Sequence, residues 1–112
     1  EACKVINIKP GRVGGLSHGL AIHDLCRARS VPVWCGGMLE TGVGRAANLA
    51  MASLPGFTLP GDISATDRYY NEDITHEQFI LNPDSTITVP GGVGLGVTVN
   101  QKVLKRYTLR KL

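Results

Sequence analysis

The chain has 112 residues, of which 43% are hydrophobic and 19% are charged, and this length is enough for one modest folded domain. The composition excludes a disordered protein. No apolar run approaches the roughly 20 residues that a membrane-spanning helix needs, so we predict no membrane partner. Because the sequence starts at Glu1 and enters a strand-like run almost at once, we expect a longer parent protein.

The first half of the chain alternates between short apolar runs and helical patterns. Three apolar runs are typical of strands buried in a parallel sheet, and they occupy residues 5–9, 31–35 and 57–59. Apolar residues at helical spacing predict a helix that Ser17 caps and that runs to about residue 29. A second helix, capped by Thr41, is predicted over residues 42–54.

The second half of the chain has a different pattern. A short helical turn is predicted between residues 65 and 73. Apolar residues on both sides of the turn at 82–85 predict an antiparallel hairpin, with strands at 79–81 and 86–89. Residues 103–107 are predicted to form a short helix.

The order of strands and helices predicts an α/β fold with parallel strands joined by right-handed crossovers. Both helices would then lie on one face of the sheet, and the other face would be left in water. A closed (β/α) barrel removes this problem, but such a barrel needs roughly 200 residues or more. The chain is therefore predicted to supply part of a barrel.

The cysteines indicate the cell compartment of the protein, and the basic tail indicates which partners it can bind. Cys3, Cys26 and Cys35 match no zinc-binding spacing, and unpaired thiols are typical of the reducing cytoplasm. The basic residues near the carboxyl terminus have only Tyr107 among them to stack on a base. We interpret this tail as a solvated helix end and predict no nucleic-acid partner.

Several polar residues follow the predicted strands. Lys9 ends the first strand, at the edge where parallel α/β folds gather catalytic groups, so it could act as a base or simply keep its amine in water. Asp62 follows the third strand and is interpreted as a turn residue. The glycine-rich segment 41–48 could hold an anion at a helix start, although it lacks the known phosphate-binding motifs. His23 is expected to be half-buried or on the surface.

Three longer stretches closely resemble one enzyme family. They are VINIKPGRVGG, VPVWCGGMLETGVGRAANLAMASLP and FTLPGDISATDRYYNEDI, and the likeness continues to VPGGVGLGV near the carboxyl end. They resemble the C-terminal part of the o-succinylbenzoate synthases and N-acylamino acid racemases, in the muconate-lactonising subgroup of the enolase superfamily. The resemblance implies that residues 1–73 are the last three strands of a (β/α) barrel. Residues 74–112 would be a hairpin and tail that return toward a capping domain.

The resemblance also implies a chemistry for Lys9, which matches the family's lysine on the sixth barrel strand. The family reaction starts when a base removes a proton from a carbon next to a carboxylate, and Mg²⁺ stabilises the resulting enediolate. In racemisation, two lysines face opposite sides of that carbon. In the synthase, which serves menaquinone biosynthesis, the sixth-strand lysine is expected to stabilise the anion. Gly37, Met38 and Leu39 match the segment that lines the substrate side-chain pocket, and Tyr69 matches an aromatic residue beside it.

The family's other catalytic lysines and its three acidic metal ligands have no match in this sequence. We therefore predict that the chain alone holds no metal and is inactive, and that Mg²⁺ belongs to the full-length enzyme. Exposed sheet edges predict a homo-oligomer. Two alternatives remain open: another superfamily member, such as a dipeptide epimerase or muconate cycloisomerase, and a small anion-binding module without catalysis. The sequence does not separate synthase from racemase activity or define the exact substrate.

Overall fold

A computed structural model describes residues 2–110 of the chain. Its regular elements are two short strands, three α-helices and one 3₁₀ turn. In chain order they are β1 (Ile6–Ile8), α1 (Leu16–Ala28), β2 (Val33–Cys35), α2 (Gly42–Ala52), the 3₁₀ turn (Thr66–Arg68) and α3 (Gln101–Tyr107). None of the helices in this described part is both long and apolar enough to cross a membrane.

The two strands lie side by side and run parallel, as the sequence predicts. Ile6 lies opposite Val33, and Ile8 lies opposite Cys35. Ile8 and Val33 are fully buried, and Cys26 of α1 joins them in one core cluster. The β1–α1–β2 unit is therefore a parallel crossover with its helix packed on the sheet.

The third predicted strand is reduced to a parallel bridge between Phe57 and Val33. The backbone N–H of Leu59 donates to the Val33 oxygen at 3.4 Å, and that of Asp62 donates to the Cys35 oxygen at 3.2 Å. The two donors are three residues apart, whereas a regular parallel ladder uses every second residue, so the pairing with β2 is irregular. The segment still runs beside β2 in the predicted direction.

The start of α1 differs from the prediction that Ser17 caps it. The N-cap residue is Gly15, whose φ of 107° is strained for any residue with a side chain. Ser17 therefore lies inside the first turn of the helix. The start of α2 after Thr41 is confirmed, but the Thr41 side chain makes no capping hydrogen bond. The first backbone N–H of α2, on Gly42, donates instead to the Asp73 carboxylate at 2.8 Å.

The predicted hairpin is wrong in its strands but right in its turn. The backbone N–H of Asn82 donates to the Thr86 oxygen at 2.8 Å, which closes the turn. Within the part of the chain that the structure describes, no strand is assigned on either side of this turn. Ile80 and Leu81 are 68% and 57% exposed, so little burial is available to stabilise a ladder. The antiparallel bridge of this region joins Thr75 to Val99.

The C-terminal half packs on α2. Phe79 is buried and forms a second core cluster with Ala46 and Leu49 of that helix. The short helix predicted over 103–107 is confirmed and begins slightly earlier, because the Asn100 side chain accepts from two backbone N–H groups of its first turn. The segment that follows the third strand is thus held against α2 rather than extending away from it.

Candidate functional site

The carboxyl ends of β1 and β2 bring Lys9 to the second strand's loop. Lys9 directly follows β1 and is half-buried, and its Nζ donates to the Gly37 carbonyl oxygen at 2.7 Å. The amine is therefore held at the edge of the sheet where parallel α/β folds place their active sites. The Lys9 amine therefore has a hydrogen-bond partner within the protein, whereas a lysine that only covers apolar surface keeps its amine in water.

Glycine is required at residue 36 because the Lys9 side chain passes over it. A methyl group at this position would lie 2.6 Å from Cε of Lys9 and would also collide with the Asn7 side chain. At Gly37 a methyl group would lie 2.5 Å from the Asp62 carbonyl oxygen. The two glycines let three chain segments meet closely at this edge, which is a stricter requirement than an ordinary turn imposes.

Two carboxylates at this edge are engaged by backbone amides. The Gly37 N–H donates to Asp62 Oδ1, and the Met38 N–H donates to Glu40 Oε2 at 2.6 Å. Asp62 was interpreted as a turn residue, and the structure gives it this cross-strand role instead. Within residues 2–110, no three His, Cys, Asp or Glu side chains form a group that could hold a metal ion.

The pKa of the Cys35 thiol is affected by the charged groups at this edge. The pKa of its thiol is raised to about 11, first by burial and then by the nearby carboxylates of Glu40 and Asp62, while the Lys9 ammonium partly offsets these effects. The thiol lies 3.6 Å from the Asn48 carbonyl oxygen. Cys35 is therefore protonated at neutral pH and acts as a small buried hydrophobe, not as a nucleophile.

The remaining predicted pocket residues lie on the open side of the same edge. Met38 and Leu39 are 42% and 70% exposed. Tyr69 lies in a cleft of about 770 Å³ that Asp62 also lines, and its hydroxyl is 3.0 Å from the Ser64 hydroxyl. The Tyr69 ring packs edge-on against Tyr70, whose hydroxyl donates to the Leu39 carbonyl oxygen at 2.6 Å. Met38 and Leu39 do not line this cleft, and the hydrogen bond from Tyr70 to Leu39 is what connects them to Tyr69.

A buried ion pair behind this region was missed by the sequence analysis. Arg45 of α2 and Asp73 are 2% and 1% exposed, and Nη1 of the arginine lies 3.1 Å from Oδ2 of the aspartate. Arg45 also donates to the Glu40 carbonyl oxygen at 3.2 Å and lies over the Phe79 ring. The one available signal was that Arg45 is the only charged residue in α2. The start of α2, considered above as an anion site, is occupied by the chain's own carboxylate.

His23 was expected to be half-buried or exposed, and that expectation is wrong because the residue is 2% exposed. Its Nε2 accepts the Gly56 N–H at 3.0 Å, and its ring stacks on Phe57 with centroids 5.5 Å apart. Since Nε2 accepts, Nδ1 is the protonated nitrogen and donates to Asp24 at 2.9 Å. His23 therefore joins α1 to the third strand and has a structural role.

A lysine at the carboxyl edge of parallel strands, with glycine-rich loops around it, is typical of (β/α) barrel enzymes. Comparison with protein families narrows this class. The model of the family "Enolase C-terminal domain-like" matches residues 1–103, and the chain belongs to this family.

Two curated relatives are similar over nearly the whole chain. The o-succinylbenzoate synthase of Bacillus subtilis is 53% identical over 97% of this chain and 29% of its own length. The N-succinylamino acid racemase of an Amycolatopsis species is 55% identical over 99% of this chain and 30% of its own length. The chain thus spans less than a third of the relatives that it matches.

Two solved structures show the same fold. A member of the enolase superfamily from Listeria innocua has a TM-score of 0.89 and 50% identity, over 95% of this chain and 28% of that protein. A dipeptide epimerase from Cytophaga hutchinsonii, solved with Mg and the dipeptide D-Ala-L-Val, has a TM-score of 0.81 and 26% identity, over 94% and 28%. A dipeptide epimerase was one of the alternatives left open by the sequence, and it is less similar to this chain than the Listeria innocua protein is.

Proposed function

We propose that this chain forms the lysine-bearing edge of a longer enzyme, called the full-length enzyme below, with o-succinylbenzoate synthase and N-succinylamino acid racemase activity. The support is the identity of 53% and 55% to one relative of each kind. The parent's substrate is a small carboxylate. Both reactions begin at a carbon next to a carboxylate, so one site can serve both.

Lys9 is the proposed catalytic residue, and the observation that supports this most directly is its position. Its amine lies at the strand edge, bonded to Gly37 rather than to a carboxylate of the described chain. In racemisation, the uncharged amine takes the proton from one face of the carbon, and the electron pair moves into the substrate carboxylate. A second base outside this chain returns a proton to the opposite face, which inverts the carbon.

In the dehydration reaction, the substrate loses a proton and a hydroxyl group as water. We propose that Lys9 is then protonated and that its positive charge stabilises the anion formed after proton loss. Gly37, Met38, Leu39 and Tyr69 are proposed to line the pocket for the part of the substrate that does not react. The exposure of Met38, Leu39 and Tyr69 and the partial exposure of Gly37 support this assignment.

The described residues do not fit a magnesium site. The Asp62 and Glu40 carboxylates at this edge accept backbone N–H groups, and no cluster of three ligands is found in residues 2–110. We propose that the full-length enzyme uses Mg²⁺ and that its ligands lie outside this chain. Isothermal titration of the isolated chain with Mg²⁺ should show no stoichiometric binding, and the isolated chain should not turn over either substrate. Saturable Mg²⁺ binding would contradict this proposal.

Exposed apolar residues on the β1 side support a proposal about association. Val5 and Leu25 are 44% and 55% exposed, and β1 pairs with β2 along one edge. We propose that the rest of the barrel covers this side and that the isolated chain forms a homo-oligomer to cover it. Sedimentation of the isolated chain should show an oligomer, and a compact monomer would contradict the proposal.

The free thiols of Cys3, Cys26 and Cys35 support a cytoplasmic enzyme.

The experiment that tests the proposed function uses both substrate classes with the full-length enzyme. We expect racemisation of an N-succinylamino acid and formation of o-succinylbenzoate from its hydroxylated precursor. An enzyme that turns over neither compound but epimerises a dipeptide would support the alternative superfamily member instead.

A further inference from the structure

The loop that follows β2 has few apolar contacts to hold its shape. We call residues 37–41 the β2 loop. The Leu39 side chain is 70% exposed and that of Met38 is 42% exposed, so side-chain burial stabilises this loop only weakly. Its conformation therefore depends on the hydrogen bonds that reach its backbone.

Those hydrogen bonds come from several segments. Lys9, at the end of β1, donates to the Gly37 carbonyl oxygen at 2.7 Å, and the Asp62 carboxylate accepts the Gly37 N–H. The Tyr70 hydroxyl donates to the Leu39 oxygen at 2.6 Å, and Arg45 donates to the Glu40 oxygen at 3.2 Å. The β2 loop is thus fixed between the proposed catalytic lysine and a segment more than 30 residues later, since Leu39 and Tyr70 are 31 residues apart.

We propose that Tyr70 is a positioning residue that determines how Met38 and Leu39 are presented to the substrate's side chain. The inference rests on the proposed function of this edge. Tyr70 holds the loop by the backbone of Leu39 and leaves the Leu39 side chain free on the surface. Arg45 is itself fixed by the buried Asp73, and Asp62 holds the loop at Gly37, so Tyr70 is the contact at Leu39 that can be removed without removing a charged group.

Replacement of Tyr70 by Phe removes one oxygen atom and keeps the ring that packs against Tyr69. We expect KM to rise about three- to tenfold for an N-succinylamino acid with a large side chain, as the loss of one hydrogen bond allows. For N-succinylalanine the KM should change less than about twofold, because a methyl group does not reach as far into the pocket as a large side chain. The kcat values should stay near those of the unmodified enzyme.

Tyr107→Phe is the matched control. Tyr107 is 55% exposed, and its hydroxyl lies 3.4 Å from Glu72 and donates to no backbone oxygen of the β2 loop, although the residue lines the same cleft as Thr41 and Tyr70. This variant should leave both KM values unchanged, and both variants should melt within about 2 °C of the unmodified enzyme because each loses at most one hydrogen bond. A general loss of stability would not produce a KM change that depends on the substrate side chain.

Hydrogen exchange of the β2 loop gives a readout that does not need activity. In Tyr70→Phe, but not in Tyr107→Phe, the amides of residues 38–40 should exchange about three- to tenfold faster. Two results would overturn the proposal. One is an unchanged exchange rate of residues 38–40 in Tyr70→Phe, and the other is a KM that changes by the same factor for both substrates. If the unmodified enzyme turns over neither substrate class, the proposed function fails, and the exchange result still decides whether Tyr70 holds the loop.

Discussion

The replacement Asp73→Ala is the perturbation for which the structure gives the clearest magnitude. The Asp73 carboxylate is 1% exposed and pairs with Arg45 at 3.1 Å. It also accepts the backbone N–H groups of Gly42 at 2.8 Å and Ile74 at 2.7 Å. The alanine variant leaves a buried guanidinium without its partner and leaves two N–H groups without an acceptor.

The expected cost follows from these contacts. Breaking one side of a buried ion pair lowers the free energy of unfolding by about 3–5 kcal/mol. The two amides lose their acceptor as well, and each such loss costs about 1 kcal/mol when water reaches the site. Asp73→Asn keeps Oδ1 for both amides, but it replaces the oxygen that accepts from Arg45 by an NH2 group, which cannot accept. It should therefore cost about 2 kcal/mol less than Asp73→Ala, because only the two amide hydrogen bonds are kept.

The assay is hydrogen exchange of the full-length enzyme, followed by mass spectrometry of peptides that contain residues 42 and 74. We expect exchange in these peptides to accelerate by at least about a hundredfold in Asp73→Ala, since every 1.4 kcal/mol is a factor of ten. Asp67→Ala is the control because Asp67 is an exposed residue of the 3₁₀ turn. Equal protection in the alanine variant and the control would refute the assigned role of the buried pair.

Two other predictions concern the lysine edge. Gly36→Ala places a methyl group 2.6 Å from Cε of Lys9, so racemisation by the full-length enzyme should fall at least about tenfold. The control is Gly11→Ala, which should leave the rate unchanged because an added methyl group there meets no atom within 4 Å. Equal rates in the two variants would show that Lys9 is not confined by Gly36. Because the pKa of Cys35 is about 11, its thiol is ionised only above that pH, and iodoacetamide at pH 8 should label the exposed Cys3 and spare Cys35 until the chain is denatured. Rapid labelling of Cys35 in the native chain would contradict its burial.

The sequence pattern was sufficient for elements that depend on local composition. Ile8 and Val33 are fully buried, as apolar runs in a parallel sheet predict. The position of Lys9 at the strand edge followed from where its strand ends. Its bond to the Gly37 oxygen joins residues 28 apart in sequence and could not be predicted from either segment alone.

The errors came from interactions that only the folded chain defines. Ser17 looked like a helix cap, but the positive φ of Gly15 sets the helix start before it. The helix α2 has its true cap in Asp73, which is 31 residues from Gly42 in sequence. The hairpin strands were predicted from apolar residues on both sides of a turn signal, yet Ile80 is 68% exposed and has no partner strand among residues 2–110. Local propensity is overruled wherever burial or a distant partner is the larger effect.

The role of Lys9 is tested most directly by exchange of the substrate's α-proton in deuterated water. In the full-length enzyme, each enantiomer of an N-succinylamino acid should gain deuterium, because each face of the carbon meets a base. In Lys9→Ala, racemisation should be lost, and exchange should persist only for the enantiomer whose proton faces the second base. Racemisation by Lys9→Ala at a rate near that of the unmodified enzyme would show that this lysine is not the base.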